Sequence, residues 1–145
     1  MNTATTATSA ISPSDTYHPA VTLIGRVLMA AIFLVFGVRK ILAYGFYAGY
    51  FGKLGFPAPE VMVAVAIAIE VGGGALLVIG WKTRWVAWLL ALFTLVATFA
   101  AHRYWDADAA QYANQMTHFF KNVCIIGGLM MVAAFGPGPI SADKR

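Results

Sequence analysis

The sequence predicts an all-α integral membrane protein, a four-helix antiparallel bundle, on three observations. Of its 145 residues 60% are hydrophobic and only 11% charged, too apolar a balance for one small soluble domain to hide. The apolar residues form four blocks near the length a helix needs to span a hydrocarbon core, roughly 20 residues for about 30 Å. These blocks are apolar around nearly their whole circumference, where a soluble helix keeps a polar face at the 3.6-residue period. A porin-like barrel would need short alternating segments, which the sequence lacks.

The elements follow in order. Residues 1–20, MNTATTATSAISPSDTYHPA, are rich in Thr, Ala and Ser and lack the basic start of a secretory signal, so they read as a flexible polar tail. The transmembrane domain is expected over 21–139. Its first span, about 21–38, is interrupted only by Arg26 and closed by Arg39 and Lys40. Residues 43–56 hold six aromatics and four glycines, too broken for a span and too apolar for open water, which suits an interfacial or re-entrant segment. The second span, about 61–80, contains the single charge of Glu70 and ends at Trp81 and Lys82. The third, about 85–101, carries no charge and ends at His102 and Arg103. The fourth, about 119–135, is polar only at Lys121 and Asn122, and Gly136-Pro137-Gly138-Pro139 stops it. Residues 140–145 form a short C-terminal tail. Trp81, Trp85 and Trp88 at one end, with Tyr104 and Trp105 at the other, suit interfacial belts.

The net charge of +4 comes from Lys and Arg placed between apolar blocks, which is membrane flanking charge and not a nucleic-acid surface. The expected partner is the lipid bilayer. One cysteine, Cys124, excludes an intrachain disulfide and a CxxC redox pair. His18, His102 and His118 are too scattered to suggest a metal. Four spans put both termini on one side. Flanking basic residues balance across the membrane, and Arg26 near the first entry tips the reading toward cytoplasmic termini.

An ionisable group inside a span costs at least about 2.5 kcal/mol on insertion scales, so it should face a partner or a wet cavity. Glu70 falls close to mid-bilayer, and Arg26 is expected to reach it. Arg26, Phe33, Gly37 and Lys40 recur on one stripe that should face the bundle. The Arg26 and Glu70 charges suit either a buried pair that fixes register or a proton-titrating site. At the opposite membrane face, Thr94, Thr98 and His102 are spaced by four, and His118, Lys121 and Asn122 open the fourth helix. With Lys40 and Arg103 these make a candidate pocket, His102, Lys121, Asn122, Arg103 and Lys40, suited to an anion or a quinone carbonyl. Snorkelling and capping at an interface explain the same residues.

On these residues the chain resembles the DoxX family of small four-helix bacterial membrane proteins. The resemblance runs from Gly25 to Asp143. It includes GRVLMAAIFLVFGVRKI with Arg26, Gly37 and Lys40, then Glu70 followed by VGGGALLVIGWKTR. HRYWD, Gln115 and HFFKNVCIIGGLMMVAAFGPGPIS with Asp143 are its most specific part. Tyr104 stands where a phenylalanine is more familiar, and the N-terminal tail is extra. The resemblance implies a multi-pass protein of the bacterial inner membrane. It also implies kinship with membrane redox subunits: a thiosulfate:quinone oxidoreductase in one branch, and an oxidative-stress complex with superoxide dismutase and a sulfurtransferase in another. Three functions stay open: a small membrane subunit of a redox complex that touches quinone and soluble or membrane redox partners, a proton-coupled carrier or channel, and a non-catalytic anchor or assembly factor. No catalytic residue is assigned, and no cofactor is evident in the sequence apart from that quinone.

Overall fold

The computed structural model describes residues 19–143. Four helices are long and apolar enough to cross a membrane: Pro19–Leu42, Pro59–Ile79, Thr83–Asp106 and Ala109–Phe135. The chain is a multi-pass all-α membrane protein. Helix α1 (Pro19–Leu42) is followed by the short helix α2 (Tyr44–Lys53), which occupies the broken aromatic segment. The second span is composite: α3 (Pro59–Ile67), a π-helical turn (Ala68–Gly72) and α4 (Gly73–Ile79). Helix α5 (Thr83–Ala101), a 3-10 turn (Tyr104–Asp106) and α6 (Ala109–Phe135) complete the chain. Most of the polar N-terminal tail lies outside the described residues, as do 144–145; the first helix begins two residues inside it, at Pro19.

Consecutive spans run antiparallel. Helix α1 packs on the π-turn and α4, α4 on α5, and α5 most extensively on α6, with α6 returning to α1. The core is small and central: Ala30 and Phe33 from α1, Leu77 from α4, Ala87 and Leu90 from α5, Leu129 and Ala133 from α6. Most other large apolar side chains face outward, as lipid solvent permits. Gly73 and Gly74 sit at helix contacts, against Leu90 and Leu34. The buried residues of α1 are Arg26, Ala30, Phe33, Gly37 and Lys40, the stripe expected from the 3.6 period.

The fourth helix differs from its expected bounds, for it starts ten residues before 119, at Ala109. Asp108 caps it, its carboxylate accepting from the backbone N–H of Gln111 at 2.8 Å. The C-terminal segment is more than a stop. It crosses the α4–α5 turn, where the N–H groups of Ala142 and Asp143 donate to the carbonyls of Ile79 and Gly80 at 3.1 and 2.9 Å. The Asp143 carboxylate accepts from the backbone N–H of Lys82 and Thr83, each at 2.8 Å. It supplies in trans the cap that Lys82, in the left-handed region, does not provide for α5.

Candidate functional site

Glu70 is not paired with Arg26. Its carboxylate accepts from Lys40 Nζ through both oxygens, each at 2.8 Å, and the two residues are 5% and 7% exposed. The reason lies in helix geometry. Side chains lean toward the N-terminus of their own helix. Lys40 therefore points back from the end of α1 toward mid-membrane, while Glu70 points along its antiparallel span toward Lys40. Gly37 lies against Glu70: a methyl there would stand 3.1 Å from Glu70 Cβ and 2.7 Å from Val71 Cγ2. That contact sets the level of Glu70, and Arg26 starts about 16 Å below it at the helical rise. The same lean takes Arg26 away from Glu70. Its guanidinium donates to the carbonyl of Leu77 at 3.2 Å, to Val78 at 3.4 Å and to Ile140, tying α1 to the end of α4 and to the C-terminal segment.

The Lys40 ammonium also lies over the Tyr47 ring of α2, 5.2 Å from its centroid. Glu70 itself stands in the π-turn, about 14 Å from the Ile79 end of its span. Such turns are frequent at functional sites. Here the turn presents a carboxylate to Lys40.

At the other end of the bundle the predicted pocket is only partly assembled. His102 Nδ1 is 2.9 Å from Gln115 Oε1; an amide oxygen only accepts, so Nδ1 carries the proton and donates. His118 stacks on His102 with centroids 5.0 Å apart and planes 15° from parallel. Asn122 shares the helical face of His118, one turn on. Lys121 is exposed, off that face. Among the described residues neither Lys121 nor Asn122 hydrogen-bonds to His102. Lys40 is engaged with Glu70, away from this cluster. Arg103 is half-exposed and lies 3.5 Å from the Asp106 carboxylate. Thr94 and Thr98 are buried, but their hydroxyls donate to the carbonyls of Leu90 and Thr94 at 2.7 and 2.6 Å, so they form no polar path. Gln111 and Gln115 belong to the site and were not among its sequence candidates. Gln111, Gln115, His118 and Asn122 fall within about 40° of one direction on a helix, a signal legible only if α6 is begun at the Asp108-x-x-Gln111 capping pattern.

Two cavities meet beside this cluster. One, about 300 Å³, is an apolar groove walled by α2, α3 and α5, with Phe51, Ala66, Ile69, Phe93 and Ala97 among its lining. The second, about 330 Å³, is polar and lined by Arg103, Asp106, Asp108, Gln111 and Gln115. Leu54, Ala100 and Ala101 line both. Gln115 spends its oxygen on His102, which leaves its amide N–H groups available to the polar cavity. Tyr50, on α2, is held protonated because burial raises its phenol above the ordinary range.

Residues 21–103 match the family described as DoxX. The chain is similar to Inner membrane protein YphA of Escherichia coli (strain K12), 35% identical over 128 residues, which cover 88% of this chain and 91% of that protein. It is also similar to Inner membrane protein YqjF of the same organism, 34% identical over 122 residues, covering 84% of this chain and 88% of the relative. A third relative is a Surfeit locus protein 4 homolog of Schizosaccharomyces pombe, 30% identical over 85% of this chain but only 36% of that longer protein. No solved structure matches the chain.

Proposed function

The chain belongs to the DoxX family, and from that premise we propose that it is a small inner-membrane subunit of a redox system that meets a quinone head group at Gln115, with His102 and His118 behind that amide. The two bacterial relatives carry inner-membrane names, which supports the location. The observation that carries the reading is the ordered polar cluster: a proton-bearing imidazole fixed by an amide at 2.9 Å and stacked on a second imidazole, at the membrane end where a polar cavity opens. A quinone, when bound, supplies two-electron chemistry that takes up two protons. Imidazoles are suited to passing protons near neutral pH, and the Gln115 amide is suited to donating to a carbonyl. The electrons come from a partner protein. Lys121 is exposed beside this cluster and, among the described residues, makes no hydrogen bond to His102.

Mild-detergent purification of the full chain with identification of co-purifying proteins tests the reading, followed by quinone reduction with the recovered complex. A redox partner and a rate that falls in His102→Leu while assembly persists are expected. Recovery without a redox partner, or a rate indifferent to His102→Leu and His118→Leu, refutes it. The carrier reading has one observation on its side, the buried mid-membrane pair of Lys40 and Glu70. Substrate uptake into proteoliposomes that depends on Glu70 decides for that alternative.

A further inference from the structure

We propose that the apolar groove under α2 holds the isoprenoid chain of a quinone whose uncharged head lies in the adjoining polar cavity, so that α2 is one wall of a single amphiphile site. This rests on the quinone reading above and adds where the chain lies and which heads are excluded.

On α5 the groove is lined by Leu89, Leu92, Phe93, Val96, Ala97, Ala100 and Ala101. These recur at the spacing of one helical face and run about 18 Å along the helix. That length is close to half of the hydrocarbon thickness, about 15 Å, which is the reach of one lipid chain from the interface to mid-membrane. Opposite stand Met62, Val65, Ala66 and Ile69 of the composite span, and α2 with the following loop covers the end with Tyr50, Phe51, Leu54 and Phe56. Its volume of about 300 Å³ lies at the small end of the range for ligand sites. Ala97, Ala100 and Ala101 give the groove its depth, since side chains of ordinary apolar size at those positions would fill it.

The head lies in the cavity that shares Leu54, Ala100 and Ala101 with the groove. It presents one guanidinium, Arg103, against two carboxylates, Asp106 and Asp108. Arg103 already stands 3.5 Å from Asp106, and Asp108 is engaged in capping α6. A phosphate or fatty carboxylate would therefore enter a site with an acidic excess and no free cation among the described lining residues. An uncharged carbonyl meets no such repulsion, and the Gln115 amide N–H groups face no competing protein acceptor. The length of the groove suits any single apolar chain, and the acidic excess at the head favours a quinone over an anionic lipid.

The test uses the full-length protein in nanodiscs of zwitterionic lipid, with binding read from quenching of tryptophan fluorescence. The probes are decyl-ubiquinone, the same head without a chain, and palmitate as a charged-head competitor. Decyl-ubiquinone is expected to bind at least tenfold tighter than the chainless head and to resist palmitate. Ala97→Phe, which fills the groove, should lower its affinity about tenfold and leave the chainless head unaffected; Leu95→Phe, on the lipid-exposed face, should change neither. Ala100→Val serves if Ala97→Phe does not fold, with a loss in the same direction. Equal affinity of the two quinones, or loss of decyl-ubiquinone to palmitate at equal concentration, overturns the groove. If the groove fails while Gln115→Leu still weakens the chainless head, the redox reading survives; if neither quinone binds, both are refuted.

Discussion

Replacing Glu70 tests the central revision of the helix pairing. Both carboxylate oxygens accept from one ammonium at 2.8 Å, and each residue is more than nine-tenths buried. Glu70→Leu or Lys40→Met alone strands a charge that neither water nor lipid can solvate, at a cost of roughly 3 to 5 kcal/mol. That is a large share of a typical stability of about 5 to 15 kcal/mol. Replacing both leaves no charge behind and should cost much less than the sum, giving a coupling of at least about 2 kcal/mol. Reversible unfolding in mixed micelles, followed by far-UV circular dichroism, measures all four corners of the cycle. A second cycle, Arg26→Met with Glu70→Leu, should be additive within about 0.5 kcal/mol, because these sites are separated by far more than the distance over which contacts couple. Additivity in the first cycle with coupling in the second would falsify the assignment of Lys40 as the partner.

Asp143→Ala removes the cap from the backbone N–H groups of Lys82 and Thr83; a loss of about 1 to 2 kcal/mol is expected, with faster amide exchange confined to the start of α5. Gly80→Ala forces a side chain into a left-handed residue, φ 75°, and into the position of Arg26 Nη1. It should cost more than the roughly 1 to 2 kcal/mol of the backbone conformation alone, and a loss no larger than that in chemical denaturation refutes the close approach of Arg26. Cys124 is exposed on α6 within the fourth span, so in intact membranes a charged maleimide should leave it unmodified, since the reactive thiolate is disfavoured in hydrocarbon. A cysteine placed at the exposed Asp108 should react under the same conditions.

Length, composition and period made the spans legible, and the stripe of Arg26, Phe33, Gly37 and Lys40 was legible from spacing. Aromatics broken by glycine marked residues 43–56 as an interfacial or re-entrant segment and not a span, and the short helix α2 stands there. Pairing of the charges was harder to read, because spacing says which residues share a face but not which way a long side chain leans. Applying the N-terminal lean of helical side chains to Arg26 and Lys40 separates their partners from sequence alone. The start of α6 was obscured by hydropathy, which counts Gln111, Asn114 and Gln115 against a span, although the Asp108 cap marks the true beginning. The groove joins α2, α3 and α5, and no local pattern announces a surface made by three separate segments.

Where polar capacity remains unused separates scaffold from candidate chemistry. At the end of the bundle holding Pro19 and Asp143, the Arg26 guanidinium is spent on three backbone carbonyls and the Asp143 carboxylate on two N–H groups. The unpartnered atoms there, Arg26 Nε and Thr83 Oγ1, are fully enclosed, so a ligand arriving from the membrane has no surface of theirs to meet. At mid-membrane the Lys40 and Glu70 charges close on each other. At the opposite end Gln115 binds His102 through its oxygen alone, and its N–H groups face a cavity continuous with an apolar groove. An acceptor carried in on an apolar chain can meet those N–H groups while also filling the groove. Among the described residues, the charges of Arg26, Lys40 and Glu70 are engaged at the other two polar levels, whereas the Gln115 amide has a polar cavity beside it in which an acceptor can be received.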